Sequence, residues 1–290
     1  MALALPSEHG TVGMLARTKS PQPAVNIETT AFLDEAAATF RVPVRAADSS
    51  ISFGVDLGTA TIVLTAVDAQ RRPVYWDSLP CQAVRDGVVV NFGDAVTAVK
   101  RLKAAAMTTL GSDIASAATA FPPGVPEAEA RACRYVLENA GITCRQLVDE
   151  VSAAQALLRL EDGAIVDVGG GSTGVGIVVN GTIVALDDEP GGGHHLDLIL
   201  AGALRITVEE AEERKRCVQQ DYSHILRPGI ERIASSILRQ IGVHAVQSIH
   251  LVGGAVRVPH AASIVAGFCG IQTYAYPHSE LVTPFGIAMS

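Results

Sequence analysis

The spacing of apolar and polar positions changes period several times along this chain. Over 28–41 the side chains of Phe32, Leu33, Ala36, Ala37 and Phe40 fall on one face of a helix. Asn26 stands where a cap is wanted, and Pro43 where the helix must stop. From residue 51 short apolar runs alternate with amphipathic stretches. Ile51–Leu57, Thr61–Asp68 and 73–77 predict strands, 94–107 a helix, and 114–121 a strand. A helix over 127–140, a strand over 145–148 and a helix over 152–160 follow. Then three short strands start again at 164–168, 174–179 and 182–186. Helices are predicted over 195–204, 208–217 and 228–241, a strand over 248–252, a helix over 259–267, a strand over 272–274 and a last helix over 284–289.

The restart is an internal repeat. Asp56-Leu57-Gly58-Thr59 lies between two β segments, and Asp167-Val168-Gly169-Gly170 does the same 111 residues later (167 − 56). A single repeat of that length means two similar lobes rather than a solenoid. The expected organisation is a tail, short helix and linker over 1–50, one lobe over 51–160 and a second over 161–290, with the last helix free to pack back on the first lobe. Met1 to Val25, with Pro6, Gly10, Gly13, Pro21 and Pro23 and no steady period, reads as the tail. The helix over 28–41 either packs on the body or serves as a docking peptide.

Composition narrows the class. At 290 residues, 48% hydrophobic and 18% charged, the chain can bury a core without staples and is not a disordered polymer. The net charge of −8 and the lack of a basic stripe argue against a nucleic-acid surface. Five scattered cysteines without a C-x-x-C argue against a disulfide framework or zinc site and for a reducing cytoplasm. No apolar run is long enough for a membrane span, and no secretion signal is read at the N-terminus.

The two Asp-x-Gly turns carry the chemistry. Glycine lets successive backbone N–H groups approach an anion, and Thr59, Thr61, Ser172 and Thr173 add hydroxyl donors. A carboxylate repels phosphate, so Asp56 and Asp167 are better suited to holding Mg²⁺ through its waters. Gly253-Gly254, after a strand, allows a ribose or flat ring to lie against bare backbone. Gly191-Gly192-Gly193-His194-His195-Leu196-Asp197 opens a helix whose N-terminus faces phosphate, and Asp149-Glu150 places acid at a strand end. His194 and His195 are adjacent and point to different helix faces, so they are not expected to share a metal.

Taken in chain order, from Asp56 through Glu150, Asp167 and Gly191-Gly192-Gly193 to Gly253-Gly254, these five elements resemble the actin, Hsp70 and sugar-kinase ATPase superfamily, over about residue 52 to the C-terminus. Arg85-Asp86-Gly87-Val88-Val89-Val90-Asn91-Phe92 is similar to the MreB branch, and Leu251 to Pro259 to Hsp70. The whole, with Gly192-Gly193-His194-His195 and its short length, most resembles the ethanolamine-utilisation protein J (EutJ) family, which is chaperone-like and encoded with bacterial microcompartment enzymes. The resemblance implies an α/β fold of two actin-like, ribonuclease H-like lobes with a short N-terminal helix. It implies ATP or ADP with Mg²⁺ held through water by Asp56 and Asp167. Gly58, Thr59, Ala60, Thr61, Gly169, Gly170, Gly171, Ser172, Gly192 and Gly193 would surround the phosphates, and Glu150 would act on the attacking water. Glu212, Lys215, Arg216, Gly253, Gly254 and Arg257 would form the adenosine side. Val151 and Ser152 depart from the proline and threonine usual after the acid, and a phosphate-reaching lysine of Hsp70 is not placed.

Those implications define a slow Mg-dependent ATPase of the chaperone-type switch kind, cytoplasmic and associated with an ethanolamine microcompartment. Its partner would be an enzyme or shell component of that compartment. An MreB-like polymer subunit, a small-molecule kinase of the same fold and a nucleotide-binding scaffold without turnover are the alternatives.

Overall fold

The computed structural model describes residues 27–44, 50–85, 88–217 and 221–290. The tail expected over 1–25, the Asn26 cap, and Asp86 and Gly87 lie outside the described residues. After α1 (Ile27–Ala38), the strand β1 (Ile51–Leu57) pairs antiparallel with β2 (Thr61–Asp68), and β2 with β3 (Pro73–Pro80). A two-residue hairpin, β4 (Val84–Arg85) with β5 (Val88–Val89), leads into α2 (Phe92–Leu110). Strand β6 (Ser116–Phe121) then returns parallel to β1; α3 (Glu127–Asn139) leads to β7 (Thr143–Asp149), parallel to β6, and α4 (Glu150–Leu158) closes the half.

The second half repeats the plan. Strands β8 (Gly163–Val168), β9 (Ser172–Val179) and β10 (Thr182–Pro190) form an antiparallel meander. Helices α5 (Gly193–Leu204), α6 (Val208–Arg216) and α7 (Ser223–Ile241) precede β11 (Ser248–Val252), which lies parallel to β8. Helix α8 (Ala261–Cys269), strand β12 (Gln272–Ala275) parallel to β11, and α9 (Val282–Met289) complete the chain. The strand orders β3-β2-β1-β6-β7 and β10-β9-β8-β11-β12 are the same pattern twice. Central strands buried on both faces need near-continuous apolar runs, and Thr61–Asp68 and Gly163–Val168 supply them.

Each sheet has its own apolar core, and a third joins them. That third core combines Leu33 of α1, Val151 and Leu158 of α4, Ile165 and Val178 of the second sheet, and Phe285 of α9. Helix α9 follows β12 in the chain yet packs against β1, β2 and α4. The N-terminal helix thus lies on the body, with Leu33 and Ala36 fully buried and the Trp76 indole N–H donating to the Ala36 carbonyl at 2.9 Å. Removing a buried leucine costs its transfer free energy plus a cavity term. Leu33→Ala is therefore expected to lower stability by about 3 kcal/mol in urea denaturation. A loss within experimental error would show that α1 is not part of the core.

Several boundaries differ from the sequence pattern, each for a local reason. Helix α1 stops at Ala38, because residues 39–44 run beside β3 instead: the Arg41 N–H donates to Trp76 O and the Val44 N–H to Val74 O, both at 2.9 Å. Phe40 packs on Trp76, with ring centroids 4.6 Å apart and the planes tilted by 44°, rather than extending the helical face. Helix α4 begins at Glu150, since the Asp149 carboxylate caps it by accepting from the Ser152 N–H at 2.8 Å. Helix α7 begins at Ser223, whose N–H is held by Asp221 at 2.8 Å, and so contains Pro228 instead of starting there.

Candidate functional site

Asp56 and Asp167 occupy equivalent places, each one residue before the end of the first strand of its sheet. Asp56 stands opposite Val63 and Asp167 opposite Gly174 in the antiparallel partner strands. The turn after each strand therefore emerges at the same edge of its sheet. Both turns, with Glu150, open into one cavity of about 860 Å³. The turns meet closely: a Cβ built on Gly170 would lie 3.2 Å from the Thr59 Cβ. Thr173, expected to add a hydroxyl donor, is instead buried and donates to the Gly191 carbonyl at 2.6 Å. Of the residues that the resemblance assigned to the site, all but one line this cavity, from Gly58–Thr61 and Gly169–Ser172 to Gly193, Glu212, Lys215, Arg216, Gly253, Gly254 and Arg257.

The exception is Gly192, which lies behind the cavity wall. A side chain there would come within 2.4 Å of the Gly169 carbonyl oxygen and 3.0 Å of that of Ser172. This glycine lets the start of α5 press against the back of the second turn. The contact is made by hydrogen bonds: the N–H groups of Gly193, His194 and Gly191 donate to the carbonyls of Gly169, Gly170 and Gly171 at 2.9, 2.8 and 2.7 Å. A trans peptide directs its N–H opposite to its C=O. The N–H groups of Gly170, Gly171 and Ser172 accordingly point the other way, as an anion cradle requires. In the first turn the glycine requirement is steric, because a Cβ on Gly58 would sit 2.7 Å from the Thr61 carbonyl oxygen.

The carboxylates hold their protons unusually tightly. Burial, and then the charge of Asp167, push Asp56 up to about 7. Burial pushes Asp167 up to about 6, against a hydrogen bond from the Thr283 hydroxyl that favours its charged form. Glu150 is raised well above the ordinary glutamate range, by burial first and then by Asp167 and Asp56. Three carboxyls are thus crowded into one place. Gly253 makes room for this cluster: at φ +90° it is left-handed, and a Cβ would lie 2.4 Å from Asp167 Oδ1.

On the other side of the cavity the basic side chains are paired. Lys215 lies 2.6 Å from Asp197 and donates to the Gly193 carbonyl at 2.7 Å, tying α6 to the start of α5. Burial lowers the lysine and raises the aspartate, and the pair offsets part of both shifts. Arg216 pairs with Glu212 one helical turn away, and Arg257 with Glu280 at 2.9 Å. Sequence reasoning did not assign Asp197, Glu280 or Thr283. Asp197 lies one helical turn after Gly193, a spacing that signals the shared face, whereas nothing in the pattern marks Thr283 or Glu280 as reaching this site. Among the described residues no group of three or more His, Cys, Asp and Glu is arranged to ligate a metal directly. No helix among them is long and apolar enough to cross a membrane.

Two sheets of one order, facing each other across a cleft with α9 passing between them, make the two-lobed fold of the actin-like ATPases. Residues 80–221 match the model of the MreB/Mbl protein family. The structure is similar to that of MreB5 of Spiroplasma citri bound to AMPPNP, with a TM-score of 0.67 and 17% identity over 82% of this chain and 95% of that one. It is more similar to ethanolamine utilization protein EutJ from Carboxydothermus hydrogenoformans, with a TM-score of 0.86 and 36% identity, covering 90% of this chain and 98% of the other. In sequence it is 37% identical to ethanolamine utilization protein EutJ of Salmonella typhimurium over 259 residues, 89% of this chain and 92% of the relative. The chain belongs to the EutJ family.

Proposed function

We propose that the chain is an Mg·ATP-driven two-lobed switch that serves ethanolamine utilisation in the manner of a chaperone. The observation that carries this reading is the convergence of Asp56, Glu150 and Asp167, from both halves of the chain, on the glycine turns of one cavity. ATP would lie with its phosphates between the Gly58–Thr61 and Gly169–Ser172 turns and its adenosine between α6 and Gly253-Gly254. The donor set fits a hydrated dication. Asp56 and Asp167 repel each other in a site that burial makes costly for charge, and they are not arranged with a third ligand for direct coordination. Bound magnesium would supply neutralisation of the phosphate oxygens.

The chain's own residues would do the rest. Backbone N–H groups of the two turns would hold the phosphates and orient them. Glu150, at the first position of α4, would accept the proton of the attacking water, a task suited to a carboxyl whose affinity for protons is raised. Its neighbour Val151 is fully buried against Gly176 of the second sheet, so a change in lobe separation would move the helix that carries Glu150. A protein partner, an enzyme or shell component of an ethanolamine microcompartment, would read that movement, in the cytoplasm or at the compartment itself.

Glu150→Gln keeps the shape of the side chain and removes the base. Phosphate release from Mg·ATP is expected to fall by roughly 10²-fold or more, with nucleotide affinity within a few-fold of wild type. Equal phosphate release by the two proteins would leave a nucleotide-binding scaffold without turnover in place of the switch. The MreB/Mbl match over 80–221 favours a second reading, a polymer-forming ATPase, and ATP-dependent pelleting would select it.

A further inference from the structure

Cations in the cavity are scarce relative to the anions it gathers. Among the described residues, the Arg and Lys side chains on its wall are Arg85, Lys215, Arg216 and Arg257. The last three belong to the second half of the chain and are neutralised by Asp197, Glu212 and Glu280. Arg85 comes from the first half, is exposed, and has no acidic partner among the described residues. A triphosphate entering a site that already holds Asp56, Glu150 and Asp167 gains from further positive charge on the wall.

The backbone limits how far Arg85 can lie from the first glycine turn. The chain leading to it is tied to the first glycine turn, since Thr61 pairs with Pro80 and the Cys81 N–H donates to the Ala60 carbonyl at 3.1 Å. Four residues further on, no more than about 14 Å of extended chain, Arg85 ends β4. It is braced there by pairing with Val88 and by the N–H groups of Val90 and Asn91, which donate to the Ala83 carbonyl at 2.9 and 3.0 Å. Arg85 thus stays within reach of the first glycine turn, and both line the same cavity.

We propose that Arg85 is the cation that reads the terminal phosphate of a nucleoside triphosphate and, by binding it, draws the first lobe onto the second. The assignment rests on the nucleotide-binding reading above. A guanidinium presents paired N–H donors that match two phosphate oxygens, which gives direction as well as charge. With the phosphates held between the two turns, a bond from β4 to the terminal phosphate would add a further tie across the cleft. A diphosphate lacks that anchor, and the protein would then distinguish ATP from ADP by lobe separation.

The test compares full-length wild type, Arg85→Gln and Arg85→Lys by calorimetric titration with Mg·AMPPNP and with Mg·ADP. Arg85→Gln is expected to bind Mg·AMPPNP about 10- to 100-fold more weakly, with Mg·ADP affinity changed less than about twofold and the melting temperature unchanged. Arg85→Lys should recover part of the loss. In small-angle scattering, the contraction of wild type with Mg·AMPPNP relative to Mg·ADP should vanish in Arg85→Gln. Wild type that binds both nucleotides, with a variant that keeps the same affinity ratio or loses both equally, overturns the role of Arg85 alone. Wild type that binds neither nucleotide overturns the nucleotide reading and this inference together.

Discussion

Saturating Mg·ATP is expected to raise the stability of the wild-type protein by about 2.7 kcal/mol at a hundred times the dissociation constant, and to leave Asp167→Asn unmoved. For a chain of this size that is a rise in melting midpoint of roughly 4–5 °C, within the reach of a thermal-shift measurement. The variant is also expected to be more stable than wild type without ligand. Asp167 is charged in a place that penalises charge, and it raises its neighbours Asp56 and Glu150 as well. Asparagine keeps the oxygen that accepts from Thr283 and removes the charge.

The pH dependence separates this account from a simple loss of fold. The folded-state affinity of Asp167 for its proton lies near pH 6, against 3.8 when exposed, so the folded protein holds a proton that the unfolded chain has lost. Stability therefore falls as pH rises from about 4 to about 6, and the full penalty, on the order of 2–3 kcal/mol, stands above that. The gain from Asp167→Asn should be clear at pH 7.5 and small at pH 4.5, measured by urea denaturation without nucleotide. A variant that still shifts with Mg·ATP, and is no more stable than wild type at pH 7.5, would remove Asp167 from the site. The wild-type arrangement gives up stability for a charge cluster that only a liganded state relieves.

Some of this was legible in the sequence because it depends on local pattern. Asp56-Leu57-Gly58-Thr59 and Asp167-Val168-Gly169-Gly170 mark strand ends with their turns, and the apolar runs before them mark central strands. The repetition of those two units is what makes two lobes readable at all. Glycine, however, carries no sign of which way it faces. Gly192 and Gly193 look alike in the sequence, yet one backs the second turn and the other lines the cavity. Thr283 was unreadable for a different reason. It reaches Asp167 only because β12 ends at the second sheet and α9 crosses to the first, a contact 116 residues apart in the chain. Pairings such as Lys215 with Asp197 likewise need two helices docked at one angle. The i,i+4 pair of Glu212 and Arg216, by contrast, follows from helical spacing alone.

That crossing helix gives the second large effect. Gly286→Ala is expected to destabilise the protein by at least about 3 kcal/mol, or to prevent folding, although alanine favours a helix by about 1 kcal/mol over glycine. A Cβ at Gly286 would lie 1.9 Å from the Ala153 carbonyl oxygen and 2.5 Å from its carbon, so helices α4 and α9 touch backbone to backbone. No rotamer change relieves a clash with backbone. The same helix is gripped from β1, where a Cβ on Gly54 would sit 2.6 Å from the Ala288 nitrogen. Gly202 and Gly267, also helical, face open space, and their alanine variants should gain about 0.5–1 kcal/mol each. Chemical denaturation of the three variants decides the matter, and a Gly286→Ala protein within 0.5 kcal/mol of wild type would mean that α4 and α9 are not in contact at all. The effect extends to the site, because α4 begins with Glu150 and α9 carries Thr283 near its start. A helix pushed off Ala153 separates the carboxyl proposed to act on water from the hydroxyl that holds Asp167. Any Gly286→Ala protein that does fold should therefore lose its response to Mg·ATP, whereas Gly202→Ala and Gly267→Ala should keep it.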